Sequence, residues 1–352
     1  MMILGIDTSC DDTSVAVTKD RQVLANVISS QDELHAPWGG VVPNLARRAH
    51  ETNFPVVYQQ ALNQAGIKES DIDAIAVTKG HGLAIALEVG IAQAKALAER
   101  LQKPLLAIHH SEGHFVASFD QDEHGSAPID PQQVQWPALA VLVAGGQTQL
   151  VLVKSLGHYE VIGETVDDAI GEAFDKTARL LGFGYPGGAE LAQAATQGNP
   201  RAYNLPRPMR GSGDLNVSYA GLKTAVLRLV RELQGPQGKL TQQQRLDVSA
   251  SFQAAAVDTL IIKIKKALEQ YHFQQIFVGG GVSANQELRQ KLTETAAEFG
   301  AHVYTPYTTQ LCRDNAAMIA VAGYFQLQNP TTEAIIAEGV NLDRDPQLKL
   351  PC

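Results

Sequence analysis

Apolar and polar positions along the chain trace one pattern twice. Residues 2–6 (Met-Ile-Leu-Gly-Ile) are an unbroken apolar run, the mark of a buried strand, and they open into Asp7-Thr8-Ser9-Cys10-Asp11-Asp12-Thr13-Ser14. β-rich runs follow at Val15–Thr18 and Val23–Ile28, so the predicted opening is strand, polar turn, strand, strand. Gly39-Gly40-Val41-Val42-Pro43 reads as a turn and residues 44–65 carry a helical period. A strand at 74–77, a tight turn at Lys79-Gly80-His81-Gly82, an Ala- and Leu-rich helix over 83–101 and a strand at 104–108 come next. Three strands followed by helix, strand, helix, strand fit a mixed sheet covered by helices.

Residues 119–136 form a polar connection, after which the pattern restarts. Ala138–Val143 is a buried strand, Ala144-Gly145-Gly146-Gln147-Thr148 a turn, and 149–153 and 159–163 are strands. The same order at the head of both halves predicts an internal duplication. Beyond it come helices over 167–182 and 242–271 and a strand at 275–278. Gly279-Gly280-Gly281-Val282-Ser283-Ala284-Asn285 then leads into a helix to about 299, followed by a short strand at 303–304 and a helix over 316–325. The tail from residue 328 is polar and reads as having no obvious structure.

Composition narrows the class. At 352 residues, with 45% hydrophobic and 18% charged positions, the chain has material for two packed domains. A net charge of -9 excludes coating of nucleic acid by bulk charge, though not a local basic patch. One such patch is present: residues 200–231 hold Arg201, Arg207, Arg210, Lys223, Arg228 and Arg231 against the single acid Asp214, with Tyr203 and Tyr219 among them. The stretch is either a solvated loop with a basic helix or a contact to phosphate. Cys10, Cys312 and Cys352 are far apart with no C-x-x-C, which fits a reducing cytoplasm and no disulfide framework. An acid at position 7 and no basic n-region argue against a signal peptide, and no long apolar run predicts a membrane span.

Two stretches carry candidate chemistry. The turn after the first strand gathers Asp7, Asp11 and Asp12 with hydroxyl neighbours, suited either to orienting a reacting group or to satisfying its own backbone. Ile108-His109-His110-Ser111-Glu112-Gly113-His114 holds three of the ten histidines. On a helix, His110 and His114 share one face with Cβ atoms about 6 Å apart, which suits gripping one metal ion or, more plainly, a polar strand-to-helix turn with solvated histidines. Glu112 projects elsewhere, so the spacing leaves a third ligand open. Strand, Gly-rich turn and helix at 275–299 bring backbone close to a nucleotide or simply allow a sharp turn, with no G-x-G-x-x-G or Walker A lysine.

Taken together in order, Gly5-Ile6-Asp7-Thr8-Ser9-Cys10-Asp11, Gly39-Gly40-Val41-Val42-Pro43, His110-Ser111-Glu112-Gly113-His114 and Gly171-Glu172-Ala173-Phe174-Asp175-Lys176-Thr177 resemble one family. Tyr185-Pro186-Gly187-Gly188, Gly221-Leu222-Lys223-Thr224, Gly279–Asn285 and Asp314-Asn315 complete the set. The chain resembles the TsaD/Gcp family of tRNA N6-adenosine threonylcarbamoyltransferases from about residue 2 to 325. The resemblance implies an α/β actin-like ATPase fold, the fold of sugar kinases and heat-shock chaperones, with two duplicated RNase H-like halves around a nucleotide cleft. Residues 1–118 would be the first half, 119–136 a linker, 137–327 the second half with a helical insertion at about 187–270, and 328–352 a tail.

The implied reaction transfers threonylcarbamoyl from L-threonylcarbamoyl-AMP to N6 of the adenosine beside the anticodon, in tRNAs reading codons that start with A. By matching motif, His110, His114 and Asp314 would hold one divalent metal ion per subunit, iron(II) ahead of zinc. Leu142, Val143, Ala144, Gly145, Gly146, Asp175, Gly188 and Asn285 would hold the adenylate, with Asp11 and Asp12 catalytic. Implied partners are tRNA, a smaller TsaB-like paralogue of the same fold and a TsaE-like P-loop ATPase, in the cytoplasm and without a membrane.

The chain departs from the family pattern at Asp12 (usually Glu), at 79–82 (usually Ala-Gly-Pro-Gly), at Ala144 and Gln147 (usually Ser and His), at Asn44 (usually Glu) and at Ala220 (usually Ser). Those departures favour a non-catalytic, nucleotide-binding scaffold as the competing reading. A small-molecule kinase of the same fold leaves the His pair without a job. A metalloprotease needs Glu next to the first His, and Glu112 is one residue too far.

Overall fold

A computed structural model describes residues 1–234, 238–328 and 342–350. The remainder of the tail, including Cys352, lies outside the described residues. The chain forms two compact units. The first comprises Met1–Val134, Lys154–Glu160 and the described residues from Tyr304 onward; the second comprises Gln135–Val153 and Val161–Val303.

The first unit is built on β1 (Met2–Asp7), β2 (Asp12–Lys19) and β3 (Gln22–Ser30), with short α1 (Asp32–His35) and long α2 (Pro43–Ala65). It continues through β4 (Ala74–Gly80), α3 (Ala84–Leu101), β5 (Leu105–His109) and α4 (His110–Val116). The strand order is β3-β2-β1-β4-β5, with β1 antiparallel to β2 and parallel to β4. α2 contains Pro55, yet stays helical because Phe54, Val57, Tyr58 and Ala61 bury one face against the core. Burial of that kind outweighs the one lost backbone hydrogen bond.

The second unit repeats the theme with β6 (Ala138–Val143), β7 (Thr148–Ser155), β8 (His158–Glu164), α5 (Ile170–Leu180), α6 (Gly188–Ala195), α7 (Ala220–Gln234) and α8 (Gln242–Tyr271). β9 (Gln275–Gly279), α9 (Gln286–Glu298) and β10 (His302–Tyr304) follow. Its strands run β8-β7-β6-β9-β10, the same path as β3-β2-β1-β4-β5, so the duplication expected from the polar pattern is present in the topology. Its core gathers Phe174, Tyr219, Phe252 and the inward faces of α8 and α9.

The last helix, α10 (Ala316–Leu327), belongs with the first unit. It is apolar on nearly every side and buried from Ala316 to Gly323. Its approach to the sheet is close: a Cβ added at Gly5 would lie 2.1 Å from the Ala316 carbonyl oxygen, and one at Gly323 would lie 2.9 Å from Ala76 Cβ. The polar segment after α4 runs along β3, where Val23 N–H donates to the Gln121 carbonyl at 2.9 Å. The described end of the tail is not structureless. Leu342 joins the core, Asp345 N–H donates to the Lys79 carbonyl at 2.9 Å, and His109 Nε2 lies 3.0 Å from the Leu348 carbonyl oxygen.

Candidate metal centre

Local sequence builds the centre in two places. β5 ends at His109, whose Nδ1 accepts from Ser111 N–H at 3.1 Å and so caps α4. The helix begins at His110, which puts His110 and His114 on one face, their ring centroids 4.7 Å apart and edge to face. The other contribution comes from the start of α10. Asn315 accepts from Ala317 and Met318 N–H at 3.0 and 3.2 Å, and Ala316 N–H donates to Ser14 Oγ at 2.9 Å. With that cap fixed, Asp314 directly before it is fixed as well.

Asp314 Oδ1 stands 3.4 Å from His110 Nε2 and 3.2 Å from His114 Nε2. One candidate ligand atom from each residue lies within 4.8 Å of the others, the size of a single-ion site. On the far side of His110, Nδ1 lies 3.7 Å from Asp7 Oδ1, which itself accepts from Thr78 Oγ at 2.7 Å and from Ser9 N–H at 3.2 Å. A carboxylate behind a ligating imidazole fixes the ring and its tautomer.

Electrostatics fits a cation. Burial disfavours a charged His110, yet the Asp314 and Asp7 carboxylates outweigh it and push the imidazole up to about 10. Burial likewise opposes ionisation of Asp314, but His110 and His114 hold it well below the usual carboxylate range. Among the buried nitrogens, His114 Nδ1 has no hydrogen-bond partner, and His110 Nδ1 faces only the Asp7 carboxylate 3.7 Å away. Two imidazoles and a carboxylate converging within 4.8 Å form a donor set suited to one divalent ion.

Glu112 is buried and accepts from Tyr159 Oη at 2.8 Å, on a different face from the two histidines. His81, within one of the departures from the family pattern, lies beside the centre. Its Nε2 is 3.0 Å from Ser111 Oγ and its ring centroid 5.2 Å from that of His110. Neither contact was legible in the spacing of residues, because each partner arrives from a distant loop.

Asp11 lies between β1 and β2, and Asp12 opens β2. Burial raises the Asp11 carboxyl, against the Cys10 thiol and with Asp314 adding to the rise. Asp12 is pushed up to about 7, by burial first and Asp11 second, while Arg313 pulls the other way. Arg313 Nη2 lies 3.7 Å from Asp12 Oδ2 and 3.6 Å from Asp32 Oδ2.

The residues expected to hold an adenylate lie in the second unit. Leu142 and Val143 are buried at the end of β6, Ala144 is at the limit of burial, and Gly145 and Gly146 are exposed with open space where a Cβ would stand. The turn is buttressed from behind: Glu172 N–H donates to the Gly145 carbonyl at 3.1 Å, and a Cβ at Gly280 would meet the Val143 carbonyl oxygen at 2.4 Å. Asp175 Oδ1 accepts from Gly187 and Gly188 N–H at 3.0 and 2.8 Å, which brings Asp175 and Gly188 together. Asn285 caps α9 by accepting from Leu288 N–H at 3.0 Å, and its Nδ2 donates to Gln253 Oε1 at 2.8 Å.

Comparison with known proteins agrees with the sequence. A family described as TsaD, tRNA N6-adenosine threonylcarbamoyltransferase, matches residues 22–321. Proteins of that name from Chromobacterium violaceum and Ralstonia pickettii are each 46% identical over 93% of this chain, covering 94% and 92% of their own lengths. The one from Syntrophotalea carbinolica is 44% identical over 98% of this chain and 94% of its own length. Among solved structures, T. kodakarensis HypF superposes with a TM-score of 0.60 at 11% identity, over 93% of this chain and 48% of HypF. Component A of the (R)-2-hydroxyglutaryl-CoA dehydratase of Acidaminococcus fermentans gives 0.53 at 14%, over 94% of this chain and all of that one. At such identities the likeness is one of fold, the duplicated α/β architecture of actin-like ATPases.

Proposed function

The chain belongs to the tRNA N6-adenosine threonylcarbamoyltransferase family, and from that premise we propose that it transfers threonylcarbamoyl from L-threonylcarbamoyl-AMP to N6 of the adenosine beside the anticodon. The observation that carries the reading is near-full-length identity to proteins of that name, in a chain that also gathers His110, His114 and Asp314. In this reading the adenosine amine attacks the carbamoyl carbon. The N6–C bond forms, the bond from that carbon to the phosphate oxygen breaks, and AMP leaves with its electron pair.

Asp11 orients the amine and takes its proton, and Asp12 supports it from the start of β2. Open backbone at Gly145 and Gly146 contacts phosphate oxygens, and Leu142, Val143 and Ala144 shape the turn that presents it. Asp175 and Gly188 meet the ribose, and Asn285 closes the adenylate site from the start of α9. His110, His114 and Asp314 hold the metal, iron(II) ahead of zinc, with Asp7 orienting His110. When bound, the ion supplies Lewis-acid stabilisation of negative charge developing on the acyl adenylate.

Proposed partners are a smaller paralogue of the same fold and a P-loop ATPase, the paralogue docking on α2, where Val56 is 57% exposed. The reading sets the reaction in the cytoplasm; among the described residues no helix is long and apolar enough to cross a membrane. It also treats each unit's sheet as an RNase H-like half, with α6, α7 and most of α8 as the helical insertion of the second.

A single-turnover assay with purified chain, L-threonylcarbamoyl-AMP and unmodified tRNA tests the proposal. Modified adenosine with release of AMP is the expected product. Tight adenylate binding with no transfer, in the presence of both partners, overturns the enzyme reading in favour of the scaffold.

A further inference from the structure

The stretch over residues 200–231 gathers several exposed arginines without an ion pair, a condition that Arg48 also meets. Elsewhere Arg21 reaches Asp130, Arg47 reaches Glu51, Arg100 reaches Glu69, Arg313 reaches Asp12 and Asp32, and Arg344 reaches Glu88. Within the stretch, Arg207 holds Asp258 at 2.7 Å and Lys223 holds Asp168. Arg201, Arg210, Arg228 and Arg231 are exposed, and no described residue offers their guanidinium groups a carboxylate or other partner. The lone acid, Asp214, accepts from Ser212 Oγ at 2.7 Å and lies 3.5 Å from Lys263 Nζ. In a protein of net charge -9 this strip is locally net positive, with the exposed Glu232 following Arg231 on the same helix.

The strip is held in place. α7 buries Leu222, Val226 and Val230. Its outer face carries Thr224, Arg228 and Arg231, which share one stripe at spacings of four and three. Asp167 pins the start of the helix, accepting from Tyr219 and Ala220 N–H at 2.8 and 3.2 Å and from Ser218 Oγ at 2.5 Å. Arg210 precedes a loop fastened by Lys263 Nζ, which donates to Ser212 Oγ at 2.6 Å and to the Asp214 carbonyl at 3.0 Å. Cations presented on a fixed support lose little entropy when they meet a polyanion. None of the large exposed hydrophobic residues lies on this stretch. A protein partner needs an apolar centre to its interface, whereas a phosphate backbone needs only forked donors.

We propose that the outer face of α7, through Arg228 and Arg231, with Arg210 on the preceding loop, is the surface on which the phosphate backbone of the RNA substrate lies. The assignment rests on the reading that the substrate is a tRNA.

Fluorescence anisotropy with labelled unmodified tRNA, across a salt series, tests it on the full chain. Arg228→Glu/Arg231→Glu is compared with Arg228→Gln/Arg231→Gln and with a charge reversal on the first unit, Lys19→Glu. Thermal melts verify folding. The Glu pair is expected to bind at least about tenfold more weakly, and the Gln pair to flatten the plot of log K against log salt by about 2. Lys19→Glu is expected to change affinity less than about twofold, and thermal stabilisation by L-threonylcarbamoyl-AMP is expected to survive in all variants. Equal affinity and slope in parent and double variants overturn the proposal, as does equal weakening by Lys19→Glu, which would mark a net-charge effect. Loss of paralogue binding with RNA binding intact overturns it too, in favour of a protein contact. Failure of the transferase reading has a different signature: the parent chain binds tRNA through this face but never modifies it.

Discussion

Tyr159 donates its phenolic hydrogen to the Glu112 carboxylate at 2.8 Å, and both residues are buried. Tyr159 comes from a hairpin whose turn, Leu156-Gly157, uses a left-handed glycine with φ 83°, and Gly157 N–H donates back to Tyr159 Oη at 3.1 Å. The hairpin thus clamps α4, the helix that carries both histidines. Tyr159→Phe keeps the ring against Phe115 but leaves a buried carboxylate short of a donor. Unfolding free energy should fall by about 1–3 kcal/mol in urea titration. A loss below ~0.3 kcal/mol would show that the hydroxyl does not hold the helix.

The metal centre makes a graded prediction. His114→Ala and Asp314→Ala should each leave the purified chain without stoichiometric iron or zinc by elemental analysis, and should abolish transfer. Asp7→Asn, which touches no ion but stands behind His110, should weaken metal affinity roughly 10–100-fold while leaving the site able to fill at high metal. Full metal content in the Asp314 variant contradicts the assignment.

Gly5 tests the seat of α10. A methyl group there would lie 2.1 Å from the Ala316 carbonyl oxygen and 3.0 Å from Ala320 Cβ. Gly5→Ala should destabilise the chain by about 1–3 kcal/mol or more, through overpacking against backbone. Because the shifted helix carries Asp314 at its start, metal content should drop with it. Calorimetry together with elemental analysis reads both effects, and an unchanged melting profile rules out the close approach.

Asp120 supplies a pH prediction. Its carboxyl is fully buried, neither oxygen has a hydrogen-bond partner, and burial raises it well above the usual range with only Arg21 opposing. In the unfolded chain the group ionises near ~4. Between that value and its raised folded value the unfolded state binds fewer protons, so stability falls as pH rises through the window. Asp120→Leu should therefore be more stable than the parent at pH 7, by about 1–3 kcal/mol, with the gain shrinking below pH ~4. Parallel stability curves for the two chains from pH 3 to 7 would exclude an ionisation linked to folding.

Much of this fold is written in local pattern. The polar turn between β1 and β2 and the matching turn after β6 announced two sheets of one topology, because alternation and turn chemistry are local properties. Periodicity also placed His110 and His114 on one face. It could not supply Asp314, whose neighbourhood with them depends on α10 crossing β1, and that candidate ligand came only from motif resemblance. The burial of Glu112 was not legible for the same reason, since its partner Tyr159 sits in a hairpin far along the chain. The end of the tail looked structureless because Leu342, Asp345 and Leu348 make their contacts with β4, β5 and the core rather than with one another. The bounds of α6 and α7 were not legible from period, although a basic helix within 200–231 and a helical insertion over about 187–270 were expected.

The discontinuity of the first unit has a consequence for biosynthesis. A ribosome delivers β1 to α4 early and Asp314 only after the whole second unit. Until then β1 lacks the helix that covers it, and the two histidines lack their carboxylate. A nascent or truncated chain should therefore capture no ion at this centre. Loading becomes a step that waits for α10, so a chain stalled before α10 emerges is distinguishable by metal content from one that carries it.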